Sequence, residues 1–230
     1  MPAGPTMDMQ VIREVFSILD EAASRLRADS AMLAEVRIAR PQLAPNQIGK
    51  HCQLQEWLGV WDELEPDHRH LSPLWGLYPG REISSERTPD VAAAAAATLT
   101  RRGTGGWSYA WKMELRARLN DGELELDQFK ALLAKSSLPN LFSLCGKALQ
   151  IDGNLGATSA IAEMLVQSQR DVIHLLPAVS RIGRFPIAGD TLLIFQCNCS
   201  TALANQCWPT MSATSRCGLD SRYCAEKASF

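Results

Sequence analysis

Six consecutive alanines occupy positions 92–97, behind Thr88-Pro89 and ahead of Gly103. Alanine is the strongest helix former, proline suits the first helical position, and glycine suits the residue beyond the end. Side chains this small serve a helix that neighbours must approach closely. The chain is therefore expected to surround this helix with others. Thr6 can cap a helix over 7–26, where Met9, Ile12, Phe16, Leu19, Ala23 and Leu26 recur every three or four residues. Ser30 opens a second helix, which Pro41 stops near Arg40. An irregular excursion over 41–66 follows. Further helices are expected over 107–119, closed by Asn120-Asp121-Gly122, over 123–135, and over 157–167, with Gly153 and Gly156 at its entry. A short strand is expected over 172–176. Helix alternating with loop predicts an all-α fold, either an array of helical hairpins or an α/α toroid. No fixed-period repeat supports a solenoid.

The 230 residues suffice for one domain or slightly more, and 46% hydrophobic residues can fill its core. With a net charge of −2 and no lysine-rich block, nothing points to a nucleic-acid partner, and none is expected. No apolar run reaches the roughly 18 residues of a membrane span, so no membrane partner is expected. Met1 to Gln10 lacks the basic and apolar regions of a secretory signal.

The character changes near Arg181. Residues 185–230 show no helical period, and Cys197, Cys199, Cys207, Cys217 and Cys224 crowd together there. Their spacing fits no zinc pattern, and an odd total of seven cysteines argues against a complete disulfide framework. Cys52 and Cys145 read as small core residues. The tail over 179–230 is expected to be irregular and foreign to the fold, as a reading-frame shift near Arg181 would make it.

Four segments place polar and aromatic residues in loops between helices, where binding groups usually sit. The first, 47–57, holds His51, Gln53, Glu56 and Trp57; the second, 68–80, holds His68, Arg69, His70 and Tyr78. The third, 105–111, holds Trp107 and Trp111; the fourth, 150–156, reads Gln150-Ile151-Asp152-Gly153-Asn154-Leu155-Gly156. Five of the six tryptophans fall between Trp57 and Trp111. An aromatic face can take the C–H surface of a sugar; the alternative is core packing, which is the reading for Trp111. His68 and His70, two apart around Arg69, differ from a helical zinc pair and suit a polar clamp for a neutral sugar. Asp152 sits in a tight Asp-Gly-Asn turn before a helix, whose positive end favours an ionised carboxylate able to take a proton from water. Helix capping is its alternative role.

In this order the segments resemble the catalytic domain of glycoside hydrolase family 95, over residues 4–178. Gly4-Pro5-Thr6-Met7-Asp8-Met9-Gln10 is similar to the helix after that family's acid-bearing loop, and His174-Leu175-Leu176-Pro177-Ala178 to its barrel exit. The resemblance implies part of an (α/α)6 barrel, no cofactor or metal, and a fucosylated oligosaccharide or glycan as partner. It implies hydrolysis of terminal α-linked L-fucose with inversion, which needs an acid and a base roughly 6.5–9.5 Å apart. Asp152 matches the water-activating base, and Arg69 and His70 a sugar-contacting pair. His51, Gln53, Glu56, Trp107 and Asn154 match pocket positions. The family's acid lies on a Ser-Pro-Glu-Asn loop upstream of the Gly4 segment, and no such run occurs here. Cys52 replaces a usual glycine, Pro73 a histidine and Leu155 a phenylalanine. Residues 1–178 are thus expected to be a partial glycosidase domain, inactive alone; the alternative is a non-catalytic sugar-binding or remnant helical fragment. Members are often secreted or periplasmic, and this chain itself indicates no compartment.

Overall fold

A computed structural model describes residues 4–61, 65–169 and 172–179, and the backbone of 196–198. Six helices dominate: α1 Thr6–Leu26, α2 Ala31–Ala39, α3 Pro89–Arg101, α4 Ser108–Arg118, α5 Gly122–Ser136 and α6 Asp152–Leu165. Two small antiparallel sheets join them. Strands β1 Leu144–Cys145 and β2 Ala148–Leu149 form a hairpin; β3 Val166–Gln169, β4 Val172–Leu175 and β5 Gln196–Asn198 form the other, with β4 central. The chain is mostly helical, as expected. The tail cysteines' predicted roles lie outside the described residues, apart from the backbone pairing of β5 with β4.

The alanine helix behaves as its composition dictates. Ala92, Ala94 and Ala95 are buried in a core with Leu54, Leu71, Leu74, Leu77, Leu99 and Leu115. Thr98 Oγ1 accepts from Leu54 N at 2.9 Å, which fixes the 47–57 loop to α3. Past the helix end, Gly103 N donates to Asp67 O at 2.7 Å. The buried Lys112 Nζ donates to the carbonyls of Leu99 at 3.2 Å and Arg102 at 2.5 Å, satisfying carbonyls where α3 ends. Burial pushes the Lys112 ammonium down to about 8. A second core of Tyr109, Ala110, Met113, Leu132, Ala157 and Ala160 joins α4, α5 and α6.

Several expectations are corrected. Thr6 is the first residue of α1, not its cap; its hydroxyl donates to Gln55 O at 2.5 Å rather than accepting from the N–H groups of its own helix. The apolar stripe of α1 is not its buried face: Leu26 is 78% exposed, whereas the buried residues are Thr6 and Gln10. Gln10 is held by Pro73 O at 2.9 Å, Gly76 N at 2.8 Å and Asn46 Oδ1 at 2.8 Å, so hydrogen bonds rather than apolar area seat this helix. Thr88 precedes α3 without capping it through its side chain; its hydroxyl bonds Ser84 instead. Cys52 is exposed at φ +60° in the turn that Gly49 opens, and Cys145 is half-buried, so neither is a core residue.

Helix α6 begins at Asp152, five residues before the expected start at Ala157, and ends at Leu165, where β3 takes over the residues expected to finish it. Gly153 and Gly156 bend nothing: both lie inside α6. A Cβ on Gly156 would stand 3.0 Å from Ala110 Cβ, and one on Gly153 would meet Ser143 Oγ at 2.5 Å. Missing side chains here serve close packing rather than flexibility.

Candidate active site

Helices α4 and α6 run side by side in the same direction. At their starts Trp107 N donates to Gln150 Oε1 at 2.9 Å; further along, Gly156 meets Ala110; near their ends Gln167 Nε2 donates to Ala117 O at 2.8 Å. Two stripes with the same spacing therefore face each other. On α4 and its cap they are Trp107, Trp111 and Glu114; on α6 they are Asp152, Gly156 and Ser159. Residues spaced four and then three apart share one helix face.

With Tyr78, Pro79 and Ala110, these residues other than Ser159 line a cleft of about 320 Å³, whose surface is mainly aromatic and aliphatic. That size lies at the lower end of small-ligand sites, roughly 300–1,000 Å³. Trp107 and Trp111 stack with ring centroids 5.0 Å apart and planes 25° from parallel. Trp111 Nε1 donates to Tyr78 O at 3.1 Å. Trp111 was expected to be plain packing; it is a wall of the cleft as well. The turn before α4 is fixed locally: Ser108 Oγ accepts from Gly105 N at 2.8 Å and donates to Gly105 O at 2.9 Å. Gly106 at φ +55° leaves no room for a side chain, because a Cβ would stand 2.5 Å from Gln150 Oε1.

Asp152 lies at the rim, exposed, as the first residue of α6. No side-chain hydrogen bond engages it among the described residues, so a water molecule can reach it. His70 approaches Trp107, ring centroids 6.1 Å apart, and meets the His68 ring edge-on at 4.5 Å. Burial, then the neighbouring His68 and Arg69, lower the His70 pKa, with Glu56 opposing. Its imidazole is therefore mainly neutral at pH 7, able to donate from one nitrogen and accept at the other. Arg69 is exposed, its Cδ close to Gly105.

The other expected pocket residues go elsewhere. His51 and Gln53 line a separate cavity of about 260 Å³ with Lys50, Val60 and Trp61. Gln53 Oε1 accepts from His51 N at 2.9 Å and so shapes its own loop. Glu56 pairs with Arg102 at 2.8 Å and accepts from Ser72 Oγ at 2.9 Å, a bridge from the first loop to the end of α3. Both ends of the Asn154 amide are engaged: Oδ1 accepts from Ser143 N at 2.8 Å, and Nδ2 donates to Leu141 O at 2.6 Å. Asn154 holds a loop, leaving little of its amide for a ligand.

The cleft also contains Glu114, which the sequence reading passed over. Glu114 is 7% exposed and lies beside Tyr78 and Ser159, whose hydroxyls hydrogen-bond each other at 3.0 Å. Burial pushes its carboxyl up to about 7, against the pull of those two hydroxyls and of Arg118, with Glu163 adding to the rise. The sequence did hold one signal: Glu114 continues the helical spacing of Trp107 and Trp111. Among the described residues no three His, Cys, Asp or Glu side chains gather as a metal centre would need, and no helix is long and apolar enough to cross a membrane.

Comparison with known proteins agrees with the order of these segments. The chain is 37% identical over 187 residues to "Alpha-L-fucosidase 2" of Arabidopsis thaliana, covering 76% of this chain and 22% of that protein. It is 33% identical over 130 residues to "Probable alpha-fucosidase A" of Aspergillus niger, 52% of this chain and 16% of that one. Against the Aspergillus oryzae protein of the same name it is 29% identical over 184 residues, 71% of this chain and 25% of that one. The chain thus spans a quarter or less of the length of these relatives. Residues 1–165 match the glycosyl hydrolase family 95 catalytic domain, and the chain belongs to that family.

Proposed function

We propose that this chain forms the base side of an active site that hydrolyses terminal α-linked L-fucose with inversion. The observation that carries this reading is the shared cleft, in which Asp152 stands at the rim of the Trp107–Trp111 wall. A fucose ring lays its C–H face on the indoles, and Arg69 and His70 reach its hydroxyls from the Gly105 side. Asp152 takes a proton from a water molecule as that water attacks the anomeric carbon. The leaving oxygen needs a proton from an acid, which the family carries on a loop preceding the Gly4 segment. In this reading the six helices are part of an (α/α)6 toroid, residues 1–178 belong to the catalytic domain and 179–230 lie outside it. His51, Gln53 and Glu56 shape the loop behind the site, and Asn154 holds the turn that carries Asp152.

General acid–base help contributes roughly 10²–10⁴ in rate. The isolated chain should therefore bind L-fucose without hydrolysing fucosides. Calorimetric titration with L-fucose and a chromogenic α-L-fucoside assay test both halves. Binding that Trp107→Ala weakens at least tenfold is expected, with no turnover above background. Absence of binding would end the sugar reading, and turnover would show that the chain carries its own acid.

A further inference from the structure

One side chain, Gln150, ties the two walls of the cleft together at the end where Trp107 and Asp152 stand. Its backbone belongs to the Asp152 side. Gln150 N donates to Ser143 O at 2.9 Å, and Gln150 O accepts from Gly153 N at 3.2 Å and from the Ser143 hydroxyl. Asp152 lies inside that 150–153 turn. The Gln150 amide crosses to the other wall, where its Oε1 accepts from Trp107 N at 2.9 Å. A backbone N–H can only donate, so the carbonyl end of the amide is the end that faces it. Trp107 immediately precedes α4, and its N–H is one of the donors that a helix start leaves without an intrahelical partner. Gly106, at φ +55°, admits the approach: a Cβ there would stand 2.5 Å from Gln150 Oε1 and 2.9 Å from Cys145 Cβ. Further along, the walls meet only through the apolar contact of Gly156 with Ala110 before Gln167 reaches Ala117 O. Asp152 has no side-chain hydrogen bond of its own among the described residues. The place of its carboxyl relative to the Trp107 ring is therefore set by the backbone turn that Gln150 anchors.

We infer that Gln150 is a positioning residue, whose amide carbonyl fixes the spacing between the Trp107 face that seats the sugar and the Asp152 carboxyl that takes the proton of the attacking water. This rests on the fucose reading of the cleft. A sugar that lies on the indole and also touches Asp152 needs both walls at one separation, and small displacements of such a pair are costly. Without the Gln150 bond, Trp107 N turns to solvent, and the start of α4 and the 150–153 turn drift independently. The sugar then satisfies one wall at a time. Gln150 acts through Trp107 N and the turn, not by contact with the sugar.

Calorimetric titration of the full chain with L-fucose, arranged as a double-mutant cycle, separates positioning from plain structural support. Gln150→Met keeps the length of the side chain and removes the acceptor. It should weaken binding about fivefold or more in the wild-type background and less than about twofold in Asp152→Ala, because the spacing no longer matters once one wall has lost its group. Asp152→Ala keeps Trp107, Arg69 and His70 and should still bind, more weakly than wild type. If that binding is too weak to titrate, Asp152→Asn takes its place in the cycle with the same two outcomes. The near-ultraviolet circular dichroism of the stacked Trp107–Trp111 pair should stay unchanged in Gln150→Met, since the start of α4 keeps its own turn. Equal losses in both backgrounds, a changed tryptophan signal or an unchanged affinity overturns the inference and leaves the fucose reading intact. If Gln150→Met does not fold, Gln150→Asn, whose carbonyl falls one methylene short of Trp107 N, is read in the same cycle. Failure of both to fold makes Gln150 a structural residue and overturns the inference as well. No L-fucose binding by the wild-type chain removes the fucose reading and the inference together.

Discussion

Asp152 and Glu114 line one cleft in opposite surroundings: an exposed carboxyl at a helix start, and a buried one among hydroxyls. Environment, not residue type, separates the solvent-facing carboxyl from the buried one. Asn154 sits between these roles as a fastener. Asn154→Ala leaves Ser143 N and Leu141 O without their partners and should cost roughly 1–3 kcal/mol in urea unfolding. An unchanged midpoint would show that the loop does not depend on it. Asp152 was legible in the sequence because its turn is compact and lies in one segment. Glu114 was not, because a glutamate on a helix ordinarily reads as part of a solvated face. Only the partner stripe on α6 turns that face inward. His51 and Glu56 were legible as polar loop residues, but their distance from Asp152 depends on how the 47–57 loop crosses α3, which spacing does not encode.

Between elements, the decisive contact is the parallel approach of α4 and α6 through Ala110 and Gly156. Gly156→Ala gains roughly 1 kcal/mol of helix propensity but places its methyl 3.0 Å from Ala110 Cβ, and overpacking typically costs about 1–3 kcal/mol. Net destabilisation and weaker L-fucose binding are expected, measured by thermal melting and calorimetry; a more stable variant would mean that the helices can part freely. The alanine helix and the boundaries of α2, α3, α4 and α5 were readable to within a residue or two, because caps and breakers mark them. The start of α6 was misread because glycine carries two meanings. It breaks helices in isolation and admits neighbours in a packed one, and the choice is made by Ala110 and Ser143, distant in sequence.

For the molecule as a whole, stability should depend on pH through its buried acids. Glu125 is fully buried, and neither carboxyl oxygen has a hydrogen-bond partner among the described residues. Burial, then Glu163, Asp121 and Glu114, push it up to about 9. The unfolded chain releases this proton near pH 4.5, while the folded chain keeps it until about 9. Folding therefore loses stability as pH rises between those values, and Glu114 adds the same sign up to about 7. Glu125→Leu should flatten that slope and stabilise the chain at pH 7 by roughly 1–3 kcal/mol in denaturant unfolding. An equal slope in the variant would place the linkage elsewhere. The mostly helical character was legible from periodicity, whereas the second sheet was only half legible, since β4 was expected and β3 was read as helix. The way α1 is seated has a consequence in time. Thr6, Gln10 and Arg13 pin its first turns to the loops around Gln55, Gly76 and Glu82, while Leu26 stands in solvent. Beyond those turns Glu14 and Glu21 pair with Arg81 and Asp20 pairs with Arg37; the last two pairs are exposed and hold weakly, so a helix seated this way is expected to open from its far end.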